Sequence, residues 1–144
     1  MRSCIGWKGS RWAREQRMRD FRTLAIWERA HRLTLGVYRE TGGFPSSELY
    51  GLTSQTRRAA ASIGANIAEG AGKDSNPEFL RFLQIASGSA SELENHLLLA
   101  RDLGFLVVPV YGRLSAELQD VRKMITAFMR HLQGRRRMYD EGRL

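Results

Sequence analysis

The chain of 144 residues carries a single cysteine, Cys4, so an intrachain disulfide framework and a cysteine-rich zinc site are both excluded. No apolar run approaches the ~20 residues that a membrane-spanning helix needs. Only 3 prolines interrupt it, and no stretch alternates apolar and polar residues with the period of two that strands require. The Gly-x-x-x-x-Gly-Lys pattern of a phosphate-binding loop is missing. Residues 1–19 hold no apolar core of the kind a secretory signal carries. What remains is ordinary globular composition, 42% apolar and 26% charged, in a length that suits one domain.

The net charge of +8 is unevenly placed. Residues 1–19 contain Arg2, Lys8, Arg11, Arg14, Arg17 and Arg19 against Glu15, a local charge of +5. Residues 134–144 contain Arg135, Arg136, Arg137 and Arg143 against Asp140 and Glu141, a local charge of +2. The span between them is nearly neutral, at +1. The sequence therefore divides into a basic extension (1–19), a folded middle (20–133) and a basic tail (134–144). Basic tails of this kind neutralise phosphates without reading sequence, or are simply solvated. Trp7 and Trp12 have no periodic apolar company, and the helical pattern begins just after Met18, which marks Met18 as the expected natural start.

The middle reads as four helices, about 20–40, 47–71, 76–103 and 109–133. Asp20 is placed to cap the first, whose face is drawn by Leu24, Trp27, His31, Val37 and Tyr38 and which Gly42-Gly43-Phe44-Pro45 stops. In the second, Leu49, Leu52, Thr56, Ala60, Ile63 and Ile67 recur at helical spacing, with Gly70 and Gly72 at its end. The third opens on Ser75-Asn76-Pro77-Glu78, a capping box with proline in the first turn, and carries Phe79, Phe82, Leu83, Ala86, Ala90, Leu93, Leu97 and Ala100 as its stripe up to Gly104. The fourth starts at Pro109, repeats Val110, Leu114, Leu118, Val121, Ile125, Phe128 and Leu132 as a heptad seam, and is expected to stop at Gly134. Helices of this length joined by short turns pack as an all-α, up-down-up-down antiparallel four-helix bundle.

Two features exceed one bundle's needs. Small residues crowd the middle of helix two (59–62, 64–65) and of helix three (86–91), which implies close approach of two helix backbones. Leu97, Leu98 and Leu99 sweep ~200° of helix circumference, and Phe105-Leu106-Val107-Val108 is an apolar loop. Surplus apolar surface predicts self-association, with Leu97, Leu98, Leu99 and Phe105 as interface candidates.

Four polar residues interrupt the apolar pattern: Asn66, Glu69, Arg81 and Glu92. A carboxylate between helices needs a partner, and antiparallel packing suggests Glu69 with Arg81 and Glu92 with Arg57 or Arg58 as ties that fix register. Glu28-Arg29-Ala30-His31 matches half of the Glu-x-x-His pair used by di-metal carboxylate bundles, but the second copy is missing, since Glu92 and His96 are four apart. No metal, cofactor or catalytic residue is expected. The basic candidates for nucleic-acid contact are Arg57, Arg58, Lys73, Arg101, Arg122, Lys123, Arg130, Arg135, Arg136 and Arg137.

The succession Ile63-Gly64-Ala65-Asn66-Ile67-Ala68-Glu69-Gly70, Phe79 to Leu93 with its Gly88-Ser89-Ala90-Ser91-Glu92-Leu93, and Ala100-Arg101-Asp102-Leu103-Gly104-Phe105 resembles the four-helix-bundle family named after proteins encoded in intervening sequences of bacterial 23S ribosomal RNA genes. Asp20-Phe21-Arg22-Thr23-Leu24 and Ile26-Trp27 look similar to that family too, so the likeness covers about 20–130. The resemblance implies a cytoplasmic bacterial homopentamer around a central channel, with Asn66, Glu69, Arg81 and Glu92 as architectural signature positions. A related branch, the accessory variability proteins of diversity-generating retroelements, implies a reverse transcriptase and nucleic acid as partners. That branch is basic over its folded surface, and this chain's middle is not. Three readings follow: a non-enzymatic oligomeric scaffold contacting RNA, DNA or protein; a retroelement accessory protein; and, most weakly supported, a di-metal carboxylate enzyme.

Overall fold

The computed structural model describes residues 20–142, with the side chains of 135–141 outside that description. Its helices are α1 (Ala25–Thr41), α2 (Leu52–Ala71), α3 (Asn76–Asp102) and α4 (Val108–Glu141), preceded or joined by short 3-10 turns at Phe21–Thr23 and Ser46–Glu48. No strand occurs among the described residues.

The helix starts differ from expectation for a local reason. The Asp20 carboxylate does cap, but it accepts from Arg22 N at 3.0 Å and so closes the 3-10 turn, leaving Leu24 extended before α1. Helix two likewise begins at Leu52 rather than 47: the Glu48 carboxylate accepts from Leu52 N at 3.0 Å and caps it from the preceding 3-10 turn. The Ser75 cap forms as read, its hydroxyl accepting from Glu78 N. Helix three ends in a Schellman motif. Gly104 adopts φ +77°, Phe105 N donates to Ala100 O at 2.8 Å, and Gly104 N donates to Arg101 O at 3.0 Å. Gly134 does not stop α4, which runs on to Glu141; glycine weakens a helix interior by only about 1 kcal/mol and needs a competing turn to end it.

Each neighbouring pair is antiparallel, as cross-helix contacts show. Trp27 lies beside Gly64 and Thr34 bonds to Ala60 O, joining α1 to α2. Ser62 meets Ser89 while Gly70 lies against Phe79 and Phe82, joining α2 to α3. Phe79 packs edge-on against Phe128 and Glu94 bonds to Gln119, joining α3 to α4. Arg29 pairs with Asp120 and Glu40 with Arg113, closing α4 back onto α1.

The core follows the stripes of α2, α3 and α4, with Ile63, Ile67, Leu83, Leu93, Leu97, Leu114, Leu118, Val121 and Ile125 fully buried. On α1 the buried face is Ile26, Ala30, Leu33, Val37 and Thr41, so His31 and Tyr38, expected inside, are exposed. Leu49 is also exposed, because it precedes α2 instead of belonging to it. Of the small residues of α2 and α3, Ser62 and Ser89 meet, whereas Gly64 lies against Trp27 of α1 and Ala61, Ala65 and Ser91 are exposed. A Cβ on Gly70 would fall 2.8 Å from Phe82 Cβ, closer than packed atoms allow. Gly88, by contrast, faces open space.

Candidate interaction surface

The α1–α2 and α3–α4 connections meet at one end of the bundle, the loop end. Phe44 from the first and Phe105 from the second pack with ring centroids 5.7 Å apart. Phe44 and Leu106 are buried there and seal the core. The residues around them face outward. Tyr50 is 92% exposed, Val108 71% and Val107 65%, and Leu49, Leu103, Leu99 and Tyr38 are each about half exposed. Among the described residues, only Leu35 and Ile85 of the exposed large hydrophobic side chains lie elsewhere. Each buried leucine or valine side chain gains about 1.5–3 kcal/mol, so this end leaves several such gains unrealised in a single chain.

Cations and tyrosines border the apolar end. The Arg57 guanidinium lies 4.9 Å from the Tyr38 ring centroid, with Arg57 Nε donating to Thr41 Oγ1 at 2.8 Å and Nη2 to Tyr38 O. Arg101 lies 4.7 Å from the Tyr111 ring centroid and pairs with Asp102 at 3.0 Å. An apolar centre with tyrosine and arginine around it is the usual make-up of a protein interface.

The interface candidates divide accordingly. Leu97 is 1% exposed and belongs to the core, whereas Leu99 is 45% exposed, with Leu98 between the two. Two residues along a helix turn a side chain through 200°, so the three leucines serve different neighbours. Phe105 is half-buried against Phe44. Sequence reading missed Tyr50, Leu103 and the tyrosines beside Arg57 and Arg101. Tyr50 has no periodic signal because it stands in a turn.

The polar signature is rearranged. Asn66 is a tie: its Nδ2 donates to Ser62 O at 2.8 Å and to Ser62 Oγ at 3.0 Å, and Ser62 bonds across to Ser89. The expected Glu69–Arg81 pair does not form. Glu69 is exposed, and Arg81 lies over the Phe82 ring and 3.7 Å from Glu78, one helical turn earlier. Glu92 does not meet Arg57 or Arg58 either; it is exposed and bonds to His96 at 3.3 Å on its own helix. The carboxylate that joins helices is Glu94, which accepts from Gln119 and Arg122, while Arg122 Nη2 donates to Ser91 Oγ. Glu92 and Glu94 flank Leu93 on opposite sides, and the sequence gives no sign of which side α4 occupies.

Arg122, a nucleic-acid candidate by sequence, is thus half-buried in a tie between α3 and α4. Lys73 lies over the Phe82 ring at the far end. Arg58, Lys123 and Arg130 are exposed on α2 and α4. Arg135, Arg136 and Arg137 continue α4, their side chains outside the described residues. Among the described residues, a single chain does not gather the other seven into one band. Arginines that sequence reading passed over, Arg29, Arg32, Arg39 and Arg113, do share a groove of about 440 Å³ between α1 and α4, floored by Gly36 and Leu114. Three of them are paired, with Asp120, Glu28 and Glu40, and Glu117 joins the wall, so the groove is close to neutral.

The half-motif Glu28–His31 is used otherwise. Arg32 donates to Glu28 at 2.7 Å and holds its carboxyl below the ordinary glutamate range. His31 stacks on Trp27 at 4.7 Å. Among the described residues no group of three His, Cys, Asp or Glu side chains is placed to hold a metal, and no helix is long and apolar enough to cross a membrane.

Comparison with known proteins agrees with this architecture. A crystal structure of a protein of unknown function from the S23 ribosomal protein family of Bacteroides thetaiotaomicron superposes with a TM-score of 0.66 at 20% identity, covering 73% of this chain and 98% of that one. At that identity the likeness concerns the fold. No curated protein matches the chain. The family model for the 23S rRNA-intervening sequence protein matches residues 22–127, most of the folded span, and the chain belongs to that family.

Proposed function

We propose that this protein is a non-enzymatic scaffold that assembles with copies of itself through the loop end and contacts nucleic acid when assembled. One observation carries the reading: among the described residues, most exposed large apolar side chains gather where the two loops meet, Tyr50, Leu103, Val107 and Val108 among them. Assembly would remove this surface from water, while Arg57 and Arg101 at its border would keep their charge and supply direction. The family resemblance adds a homopentamer as the expected number of copies.

The test is mass in solution by light scattering, for the full chain and for Tyr50→Glu/Leu103→Glu/Val107→Glu. All three side chains point outward, so helicity should be kept. The proposal expects a multiple of 16.4 kDa for the native chain, five copies if the resemblance holds in full, and a fall towards the single chain for the variant. A native chain that is monomeric at ~100 µM, or a variant of unchanged mass, contradicts it; at that concentration an interface of even ~10 µM affinity is mostly assembled.

A further inference from the structure

The groove between α1 and α4 runs along the side of the bundle, between the loop end and the opposite, terminus end, where Phe128 packs on Phe79. Its volume of about 440 Å³ is in the range of small-molecule sites. Leu35 lines it at 51% exposure, one of the two exposed large hydrophobic side chains away from the loop end among the described residues. Gly36 and the buried Leu114 make the floor. Glycine weakens a helix interior, and the fold does not require one at position 36. The backbone there is helical, and a Cβ would meet Leu114 Cδ2 at 3.5 Å, an ordinary contact, with Glu117 Oε2 at 4.0 Å. What the glycine provides is open space beside a carboxylate.

The charges of the groove sort into two kinds. Three arginines are held by carboxylates: Arg29 by Asp120 at 3.2 Å, Arg32 by Glu28 at 2.7 Å and Arg113 by Glu40 at 2.7 Å. That leaves Arg39 on α1 and Glu117 on α4. Neither side chain makes an ion pair or hydrogen bond among the described residues, and the two do not pair with each other. Glu117 is half-buried, so its carboxylate gives up part of its hydration with no cation in return. A lone cation and a lone anion on opposite walls, with apolar surface between them, are complementary to a molecule that carries both charges on an apolar body.

We infer that the groove binds a short apolar peptide as its zwitterion. Glu117 accepts from the ligand's ammonium group, Arg39 donates to its carboxylate, and an apolar side chain lies on Leu35. A free amino acid keeps both charges on one carbon, whereas an extended dipeptide parts them by about 7 Å. Separated charges suit two groups that do not reach each other. The near-neutrality of the groove fits the same class: a simple anion gains little from arginines already matched by carboxylates, while a dipolar ligand gains at both ends. The inference goes beyond self-assembly and nucleic-acid contact and depends on neither.

The experiment is isothermal titration calorimetry on the full chain at about pH 7, where a peptide amine is mostly protonated. The ligands are leucyl-leucine, N-acetyl-leucyl-leucine, which lacks the ammonium group, and leucyl-leucine amide, which lacks the carboxylate. The native chain should bind leucyl-leucine with a Kd of about 1 mM or tighter. Each blocked dipeptide should bind ~fivefold more weakly, the size of one solvated ion pair. Glu117→Gln should bind the free and acetylated dipeptides within about twofold of each other, and Arg39→Gln the free and amidated ones, because each variant removes the partner of the group that blocking removes. Gly36→Leu, which sets a side chain across the floor, should lose binding. Arg58→Gln on α2, outside the groove, should bind like the native chain, and circular dichroism checks that every variant keeps its helicity. A native chain that gives no binding heat at ~10 mM leucyl-leucine, or that binds the acetylated dipeptide equally well, overturns the inference; the second result would make the groove a simple anion site. Native selectivity kept by both Glu117→Gln and Arg39→Gln, or native binding kept by Gly36→Leu, overturns it too, because the dipeptide would then sit elsewhere on the molecule. The self-assembly measurement is unaffected by any of these results.

Discussion

The two ends of the bundle are made differently, although the same four helices form both. At the loop end, Phe44 and Leu106 seal the core, with Phe105 packed on Phe44, and an outer ring of apolar side chains remains in water. At the terminus end, Phe79 and Phe128 seal the core, and the residues around them are charged and balanced. The terminus end thus closes without a ring of exposed apolar side chains among the described residues, which makes the ring at the loop end surplus to folding. Charge shows the converse pattern: the bundle is neutral, and the excess sits in the segments attached to the terminus end.

The comparison breaks most clearly if the outer apolar ring proves necessary for stability. Leu97→Ala should cost about 2–5 kcal/mol in chemical unfolding, the range for a truncated core leucine. Leu99→Ala, two residues on and at the loop end, should change the stability of the single chain by less than ~0.5 kcal/mol. Equal costs, measured at dilution where assembly is absent, would make the ring part of the fold.

A smaller effect separates structural charges from free ones. Glu94→Ala removes the carboxylate that accepts from Gln119 and Arg122 and should cost about 1 kcal/mol, since the group is partly solvated. Glu92→Ala should cost under ~0.5 kcal/mol, because its only described partner is His96 on the same helix face. A double-mutant cycle of Glu94 with Arg122 should show coupling; additivity would mean that the tie between α3 and α4 contributes nothing.

The smallest effect is a titration. Arg32 bonds to Glu28 and lowers its carboxyl, and Arg22 does the same to Asp20 by its side-chain and backbone donors. A carboxyl lowered by folding stabilises the native state above its unfolded value, and that contribution is lost as pH falls through the folded value. Both carboxylates remain in contact with water, so stability should decline only slightly as pH falls through and below the ordinary carboxylate range. Carboxyl NMR titration should place Glu28 below a free glutamate, and Arg32→Gln should return it to the ordinary range.

The sequence makes the interior of this fold readable because α2, α3 and α4 each carry one dominant apolar stripe. Helix α1 is less legible: Trp27, His31 and Tyr38 outweigh Ala30 and Leu33 in bulk, yet the smaller residues face the core. Helix starts were obscured by 3-10 turns at Asp20 and Glu48, whose caps bind the turn or act from inside it. The interaction surface was half legible. Leu98, Leu99 and Phe105 signal surplus apolarity, but Tyr50 enters it only because two loops far apart in sequence meet through Phe44 and Phe105. Polar ties such as Glu94–Arg122 depend on which flank of Leu93 turns towards α4, and helical periodicity leaves that choice open.

The most direct test of the loop end as the assembly surface is amide hydrogen exchange on the full chain, above and below the concentration at which it assembles. Assembly should slow exchange at residues 46–51 and 103–108 while leaving the 72–75 turn at the opposite end unchanged. Protection gathered at 72–75, or exchange that does not vary with concentration at either end, would contradict the account.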